Sequence, residues 1–231
     1  MTINNLASYL DFGMHQANTT EQDIHNVCNK VLEYQFHAAF VNPYYVTLTK
    51  KLLGDKAKVG TVISFPLGQE TMTTKIASTQ EAIKNGADAL DIVLNVAFLK
   101  EHAWEKSLDE MQTLVGAARE IREDVIVKFI PETGFLTPDE IKKAAELMVQ
   151  AGADYFKTCS GFGPRGATIE DVKLVRQAVG DQIKIKVAGG IVDYDQAIAF
   201  IQAGANAIGT SRAVEIITKQ KGLAMPSRQS E

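Results

Sequence analysis

Cysteines and long apolar segments are scarce in this sequence of 231 residues, and their scarcity excludes whole classes of protein. Two cysteines, Cys28 and Cys159, are too few for a disulfide framework or a zinc-binding cluster. No apolar run approaches the roughly 18 residues that a membrane-spanning helix needs, so no membrane contact is expected. The first ten residues also lack the basic segment and apolar core of a secretory signal. We therefore expect a soluble, cytoplasmic protein.

An excess of positive charge is also missing. The chain has 24 Lys and Arg against 28 Asp and Glu, a net charge of −4. A weakly acidic surface argues against a general binder of nucleic acid or of anionic membranes. The four histidines show no spacing typical of metal ligands, so we expect no metal site; they are His15, His25, His37 and His102.

Eight short apolar or β-branched runs, the pattern typical of buried strands, alternate with amphipathic helical segments along the chain. The predicted strands span residues 6–10, 36–41, 58–65, 87–94, 124–130, 154–158, 183–187 and 206–210. The helices between them begin with a Thr or Asp that is followed three residues later by an acid or an amide, a typical N-terminal cap. The predicted caps are Thr20, Thr137, Thr168 and Asp193.

The predicted helix ends repeat a second pattern, in which a glycine stands where the chain must turn back into a strand. Gly86, Gly152, Gly180 and Gly204 each follow a predicted helix, where a left-handed backbone is favourable. Strand–helix units of about 29 residues predict parallel strands joined by crossover helices, and eight units fit a small (β/α)8 TIM barrel. A doubly wound open sheet is the alternative. We expect one domain over residues 1–218 and a polar tail over residues 219–231.

Alternation along the predicted strands places four charged side chains inside the barrel. Lys128, Lys157 and Lys186 recur every 29 residues on the fifth, sixth and seventh strands, and Asp91 points inward from the fourth. Charges inside a core are costly unless they are paired or functional. We therefore expect these four side chains to meet near the C-terminal ends of the strands, where active sites of such barrels lie.

Crowded lysines suit nucleophilic catalysis, because a lysine beside another cation loses its proton more readily. Lowering its pKa from about 10.4 to about 7 takes roughly 4–5 kcal/mol, which a neighbouring ammonium group and partial desolvation can supply. The neutral amine attacks a carbonyl to form a Schiff base, and Asp91 could move protons directly or through water. The pattern does not choose among Lys128, Lys157 and Lys186 as the nucleophile.

Glycines after the seventh and eighth predicted strands indicate a phosphate site. Gly189 and Gly190 follow the seventh strand, and Gly209 with Ser211 precedes a short helix after the eighth. Loops at these places commonly bind phosphate in barrels, through backbone N–H groups and a helix N-terminus. A GxGxxG match occurs at residues 161–166, but Asp181, at the spacing of the expected acid, precedes the next predicted strand instead of following it, so no nucleotide cofactor is expected.

Several motifs together resemble the deoxyribose-phosphate aldolase family over roughly residues 10–216. The most specific are residues 86–88 leading to Asp91, and residues 157–162, 166–168, 186–191 and 209–211, supported by residues 41–43, 65–68 and 132–133. The resemblance implies a class I aldolase that needs neither metal nor cofactor. Such an enzyme reversibly cleaves 2-deoxy-D-ribose 5-phosphate to acetaldehyde and D-glyceraldehyde 3-phosphate.

The resemblance also assigns roles by position. Lys157 would be the Schiff-base lysine, Lys186 the second lysine that lowers its pKa, and Asp91 the proton donor and acceptor. The predicted substrate-binding residues are Asp11, Lys128, Thr158, Gly161, Gly189, Gly190, Gly209 and Ser211. The expected partners are a phosphorylated sugar and an aldehyde. The oligomeric state is left open, with a homodimer as one option.

Four places depart from the usual pattern of the family. Residues 11–13 read Asp-Phe-Gly where the family has Asp-His-Thr, residues 15–17 read His-Gln-Ala where it has Leu-Lys-Pro, Phe40 replaces a Cys, and Arg212 replaces a Ser. Most of these positions border the first two strands, so they leave the lysine chemistry intact and the acceptor selectivity open. Three alternatives follow: another phosphorylated sugar as substrate, an isomerase with Asp91 or Glu132 as base, and a non-catalytic sugar-phosphate sensor.

Overall fold

The computed structural model describes residues 5–220 and shows a closed barrel of eight parallel strands. The strands are β1 (Leu10–Met14), β2 (Ala38–Val41), β3 (Lys58–Ile63), β4 (Ala89–Val93), β5 (Ile126–Ile130), β6 (Tyr155–Lys157), β7 (Lys184–Ala188) and β8 (Ala207–Thr210). They pair in chain order, and β1 closes the barrel against β8. The predicted (β/α)8 TIM barrel is therefore confirmed, and the open sheet is excluded.

Helices follow the strands around the outside of the barrel. They are α1 (Glu21–Tyr34), α2 (Val46–Leu53), α3 (Met72–Lys84), α4 (Val96–Lys100), α5 (Trp104–Ile121), α6 (Pro138–Gln150), α7 (Ile169–Val179), α8 (Tyr194–Gln202) and α9 (Ala213–Gln220). Four of them begin at the predicted caps. The Thr20, Thr137 and Thr168 side chains each accept a hydrogen bond from the N–H three residues on, and the acid there accepts one in return. Asp193 accepts one from the N–H of Gln196.

The glycines that end the helices work together with a polar side chain two residues later. Gly86, Gly152 and Gly204 have positive φ, which reverses the chain toward the next strand. The following carboxylate or amide oxygen accepts a hydrogen bond from a backbone N–H of the preceding strand. These pairs are Asp88 with Val59, Asp154 with Val127, and Asn206 with Ile185. Each junction therefore fixes the height of one strand against its neighbour.

The first strand lies later in the chain than predicted. Residues 6–9 form a 3₁₀ turn, and β1 occupies Leu10–Met14 rather than residues 6–10. The prediction was wrong because the buried residues Leu6, Ala7 and Leu10 follow the spacing of a helical turn rather than the alternation of a strand. The later strand places Asp11 inside the barrel wall instead of in a loop.

Two separate layers of side chains cover the two faces of the barrel wall. Leu90 and Ile92 of β4 belong to the large core between strands and helices, as the predicted alternation requires. Inside the barrel, Ala38, Phe40 and Ala89 form a small apolar cluster. The buried interior also holds charged side chains: Asp11, Asp91, Lys128, Lys157 and Lys186.

Helix α9 ends at Gln220, so the first two residues of the predicted tail are helical. The rest of that tail, residues 221–231, lies outside the described residues. Within residues 5–220, no helix is both long enough and apolar enough to cross a bilayer. The same part of the chain contains no group of three His, Cys, Asp or Glu side chains that could hold a metal ion.

Candidate active site

Strand register sets the depth of each interior lysine. Lys157 of β6 lies beside Lys186 of β7 in register. Lys128 of β5 lies beside Tyr155, two residues before Lys157, and Asp91 of β4 lies beside Lys128. Lys157 and Lys186 therefore lie at one level at the C-terminal end of the barrel. The backbone of Lys128 lies one layer of side chains deeper.

Asp91 is the carboxylate on which the three lysines converge. Its Oδ2 atom accepts hydrogen bonds from Nζ of Lys157 and of Lys186, both at 2.8 Å, and its Oδ1 atom lies 3.5 Å from Nζ of Lys128. Burial alone would raise the pKa of this carboxyl group, but the three ammonium groups outweigh burial and hold the pKa well below its usual range. Asp91 is therefore an ionised centre of the cluster.

Lys186 is held as a cation between two carboxylates. In addition to its bond with Asp91, its Nζ atom lies 2.7 Å from Oδ2 of Asp11. Nδ1 of His37 lies 2.7 Å from the other oxygen of Asp11 and fixes that carboxylate in turn. Burial favours the neutral amine, but Asp11 and Asp91 outweigh it and raise the pKa of Lys186. A lysine of this kind supplies positive charge rather than a nucleophilic lone pair.

Lys157 has the opposite balance. Burial is the largest cause that lowers its pKa, and the charge of Lys186 lowers it further against the opposing attraction of Asp91. Only about one twentieth of the side chain is exposed. The neutral, nucleophilic form of an amine is accessible under mild conditions when its surroundings disfavour the charged form.

Lys128 has a lowered pKa but lacks access to the site. Burial is the main cause that brings its pKa to about 8. Its Nζ atom has no hydrogen-bond partner among the described residues and lies 4.6 Å from the ring centre of Phe40 and 5.3 Å from that of Tyr155. These rings offer the cation a favourable π surface in place of hydrogen bonds. Lys128 is thus a buried supporting charge beneath the site.

A cavity of about 300 Å³ opens at the C-terminal end of the barrel. Nine of the predicted site residues line it: Asp11, Asp91, Lys157, Gly161, Lys186, Gly189, Gly190, Gly209 and Ser211. Lys128 and Thr158 do not. The Thr158 hydroxyl donates to the carbonyl of Ala188 and accepts from its N–H, so this side chain joins β6 to β7 instead of facing the cavity.

One end of the cavity has the features of an anion site. Gly189 and Gly190 both have positive φ, at 92° and 84°, a conformation that exposes backbone groups at little steric cost. Ser211 and Arg212, which directly precede the first residue of α9, line the same cavity. The Arg212 guanidinium group is half exposed and pairs with Glu215 at 3.0 Å. Backbone N–H groups, a hydroxyl and a cation together can bind a phosphate.

Several cavity-lining side chains were not predicted to contact substrate, among them His15, Gln16, Phe40, Val192 and Arg212. All of these except Val192 occupy positions that depart from the family pattern, and that mismatch was the available signal. His15 was hidden further by the misplaced first strand, because a strand ending at residue 10 leaves residue 15 in a loop.

Glu132, the other base considered for an isomerase, does not line this cavity. Its Oε2 atom accepts hydrogen bonds from the backbone N–H of Ser160, at 2.9 Å, and from the Ser160 hydroxyl. Glu132 thus holds the loop that follows β6 and leaves Asp91 as the only one of the two proposed bases at the cavity.

Comparison with known proteins agrees with this geometry. The family model described as DeoC/LacD family aldolase matches residues 6–219. A deoxyribose-phosphate aldolase of Thermoanaerobacter sp. (strain X514) is 43% identical over 222 residues, which cover 96% of this chain and 99% of the relative.

Solved structures give the same result. QR15, an aldolase, superposes with a TM-score of 0.90 at 35% identity, covering 95% of this chain and 97% of that one. A tetrameric deoxyribose phosphate aldolase from Aeropyrum pernix superposes with a TM-score of 0.87 at 28% identity, covering 95% and 92% of the two chains.

Proposed function

This chain belongs to the DeoC/LacD family of aldolases and is therefore a lyase, and from that premise we propose that it reversibly cleaves 2-deoxy-D-ribose 5-phosphate through a Schiff base on Lys157. The products are acetaldehyde and D-glyceraldehyde 3-phosphate. The substrate class comes from relatives that are named deoxyribose-phosphate aldolase. The choice of nucleophile rests on the side chains of the cavity.

A single observation carries the mechanism: Lys157 combines a lowered pKa with a place on the cavity wall. Lys186 also reaches the cavity, but Asp11 and Asp91 keep it protonated. Lys128 has a lowered pKa but lies outside the cavity lining. Each of the other two lysines thus lacks one of the two properties that a Schiff-base lysine needs.

The reaction follows from this assignment. The Lys157 amine adds to the C1 aldehyde, and loss of water gives a protonated imine. Removal of the proton from the C3 hydroxyl lets the C2–C3 bond break, and its electron pair moves toward the imine to give an enamine. Glyceraldehyde 3-phosphate leaves with the new carbonyl at its former C3. Protonation of the enamine at C2 and addition of water then release acetaldehyde and the free lysine.

Asp91 and Lys186 support the proton transfers of these steps. The Asp91 Oδ2 atom lies 2.8 Å from the Lys157 nitrogen, so it can take the proton that the amine loses on addition, directly or through water. Lys186 donates to the same oxygen at 2.8 Å and keeps the carboxylate in place. A fixed positive charge at Lys186 also disfavours a second charge on the free Lys157 amine.

The phosphate of the substrate would bind at the glycine-rich end of the cavity. Gly189, Gly190 and Ser211 offer backbone and hydroxyl donors there, and Arg212 adds a guanidinium group. With the phosphate bound there, the aldehyde end of a five-carbon substrate would extend toward Lys157. The phosphate serves as the anchor that positions the reacting carbons.

Reductive trapping tests the proposal. Acetaldehyde and borohydride should leave a stable ethyl group on Lys157, found by peptide mass spectrometry, and Lys157→Met should abolish both the adduct and the cleavage of 2-deoxyribose 5-phosphate. Lys184→Met is the control, because it makes the same substitution at an exposed lysine at the other end of β7. Trapping at another lysine, or cleavage that survives Lys157→Met, would overturn the mechanism. Turnover without any trapping would instead support a non-covalent reaction.

We extend the proposal to the setting of the enzyme. The partners are the phosphorylated sugar and the aldehyde, with no nucleic acid or membrane. A cytoplasmic location fits two cysteines that are both buried and unpaired. A homodimer stays a prediction, and the Aeropyrum pernix relative is a tetramer. Sedimentation velocity on the purified chain would measure the assembly.

A further inference from the structure

His15 lies on the inner face of the barrel mouth. Residues at alternate positions of a strand point to the same side, and Asp11 and Gly13 of β1 line the cavity. His15 continues this row immediately beyond the end of β1 and lines the same cavity. The His15 imidazole and the Lys157 amine therefore line the same cavity.

A neighbouring glycine lies against this ring. A Cβ atom on Gly13 would lie 3.5 Å from Nε2 of His15, so the ring occupies the space in front of Gly13. The Gly13 and His15 departures from the family pattern are thus adjacent in space. A larger side chain at position 13 would compete with the imidazole for the same part of the cavity.

The ring also packs next to the proposed nucleophile. The centres of the His15 and Phe65 rings are 5.5 Å apart, and the Nζ atom of Lys157 lies 5.9 Å from the centre of the same Phe65 ring. Phe65 thus forms a shared surface for both side chains. A substrate carbon bound to Lys157 would extend past the imidazole on its way to the phosphate loops.

The imidazole has unused hydrogen-bonding capacity. Nδ1 of His15 is buried and has no partner with hydrogen-bond geometry among the described residues. The Asn42 side chain lies nearby and favours the protonated ring, which opposes the effect of burial on the pKa. Burial, with the charge of Lys157, lowers the pKa of His15 and favours the neutral ring. A neutral imidazole has one donor and one acceptor nitrogen, which match a hydroxyl group.

We propose that His15 is a specificity-determining residue that hydrogen-bonds the secondary hydroxyl of the acceptor aldehyde, the group next to the carbonyl of glyceraldehyde 3-phosphate. The inference rests on the proposed function, because that function supplies the acceptor. The contact would give a partner to the polar ring that occupies this wall of the cavity. A site that hydrogen-bonds a substrate hydroxyl discriminates against the analogue that lacks it, since the polar group is then left unpaired.

The kinetic test compares two acceptors that differ only in this hydroxyl. Acetaldehyde is condensed with D-glyceraldehyde 3-phosphate or with 3-phosphooxypropanal, and kcat/KM is measured for the wild type, His15→Leu and His15→Asn. The wild type should prefer the hydroxylated acceptor by about tenfold or more. His15→Leu should lose most of that preference by slowing only the hydroxylated acceptor, and His15→Asn should restore part of it.

His25→Leu is the matched control, because His25 is exposed on α1 and the substitution is the same. It should keep the acceptor preference of the wild type. A His15→Leu variant that slows both acceptors equally, or that keeps the wild-type preference, would overturn the proposal. If His15→Leu does not fold, as judged by circular dichroism, the comparison rests on His15→Asn and His15→Gln with the same two acceptors.

A binding measurement separates this inference from the aldolase proposal. Glycerol 3-phosphate and 1,3-propanediol monophosphate differ in the same hydroxyl and do not react, so calorimetry reports their Kd values without turnover. The wild type should bind glycerol 3-phosphate about tenfold more tightly, and His15→Leu should bind the two equally. If the enzyme fails to cleave deoxyribose 5-phosphate but shows this difference in binding, the proposed role of His15 stands and only the proposed substrate is wrong. Equal binding by the wild type would overturn the role.

Discussion

Gly209 makes room for Lys186. A Cβ atom on Gly209 would lie 2.9 Å from Cε of Lys186 and 3.7 Å from its Nζ atom. The lysine cannot easily move aside, because its ammonium group is buried and bonded to Asp11 and Asp91. Gly209, which lies on the neighbouring strand β8, therefore has a role besides the one predicted for it in a phosphate-binding turn.

The first prediction is that Gly209→Ala displaces the Lys186 ammonium group and lowers kcat/KM with 2-deoxyribose 5-phosphate at least tenfold. Overpacking of this kind typically costs about 1–3 kcal/mol of unfolding free energy, which urea denaturation would measure. Gly116→Ala is the control, since a Cβ atom at that position of α5 meets nothing within 4 Å. Unchanged kinetics in Gly209→Ala would contradict the idea that the Lys186 position is fixed.

The second prediction concerns Lys186→Met. Loss of this cation removes a charge that lowers the pKa of Lys157, and it leaves Asp91 freer to pair with the Lys157 ammonium group. Both effects raise the pKa of Lys157, so a higher pH is needed to produce its neutral form. The rising limb of the pH profile of kcat/KM should therefore move to higher pH. At a fixed pH below that limb, the rate should fall about tenfold for every pH unit that the limb moves.

Lys184→Met provides the matched control for this profile, because Lys184 lies on the same strand but is exposed at its other end. The pH dependence of borohydride trapping at Lys157 should shift together with the kinetic profile. A variant whose rate falls at every pH by the same factor would show that Lys186 acts on another step and not through the Lys157 pKa.

The sequence predicted the barrel and most of the site because both depend on local patterns. Thr137 and Asp193 mark helix starts, Gly152 marks a helix end, and strand alternation turned Asp91 and Lys157 inward. Each of these signals is a property of a few neighbouring residues. Packing between elements was not needed to detect them.

The depth of Lys128 and the position of His15 were not predicted, and the reason lies in how the strands are placed along the barrel. Lys128 and Lys157 are separated by the same 29 residues as Lys157 and Lys186, yet Lys128 pairs with Tyr155 and lies one layer deeper. Equal spacing along the chain therefore does not mean equal height in a barrel, whose strands are staggered. The place of His15 was missed for a related reason, since the position of β1 was set by a turn at residues 6–9 that a short apolar run does not reveal.

The third prediction tests the phosphate end of the cavity. Arg212→Gln should lower kcat/KM with 2-deoxyribose 5-phosphate by about tenfold, the usual value of a hydrogen bond to a charged group, because Arg212 supplies a positive charge beside Ser211. Cleavage of unphosphorylated 2-deoxyribose should change little. Lys51→Gln, which removes an exposed charge on α2, controls for net charge. An equal loss of kcat/KM with both sugars would mean that Arg212 supports the structure of the site and does not bind the phosphate.

The fourth prediction is that His15 makes the folded enzyme sensitive to acid. Burial is the main cause that lowers its pKa from 6.5 to about 3, with Lys157 and Lys186 lowering it further and Asp91 opposing them. Between these two values the unfolded chain binds a proton at His15 that the folded chain does not, so the contribution to stability is complete above pH 6.5 and is lost as pH falls toward 3. His15→Leu removes this proton uptake. As the pH is lowered from about 7 to about 5, the unfolding free energy of the variant, relative to that of the wild type, should therefore rise by about 1–2 kcal/mol in urea denaturation. His25→Leu should show no such gain. If the difference in unfolding free energy between His15→Leu and the wild type stays constant with pH, the folded enzyme accepts a charged imidazole beside Lys157.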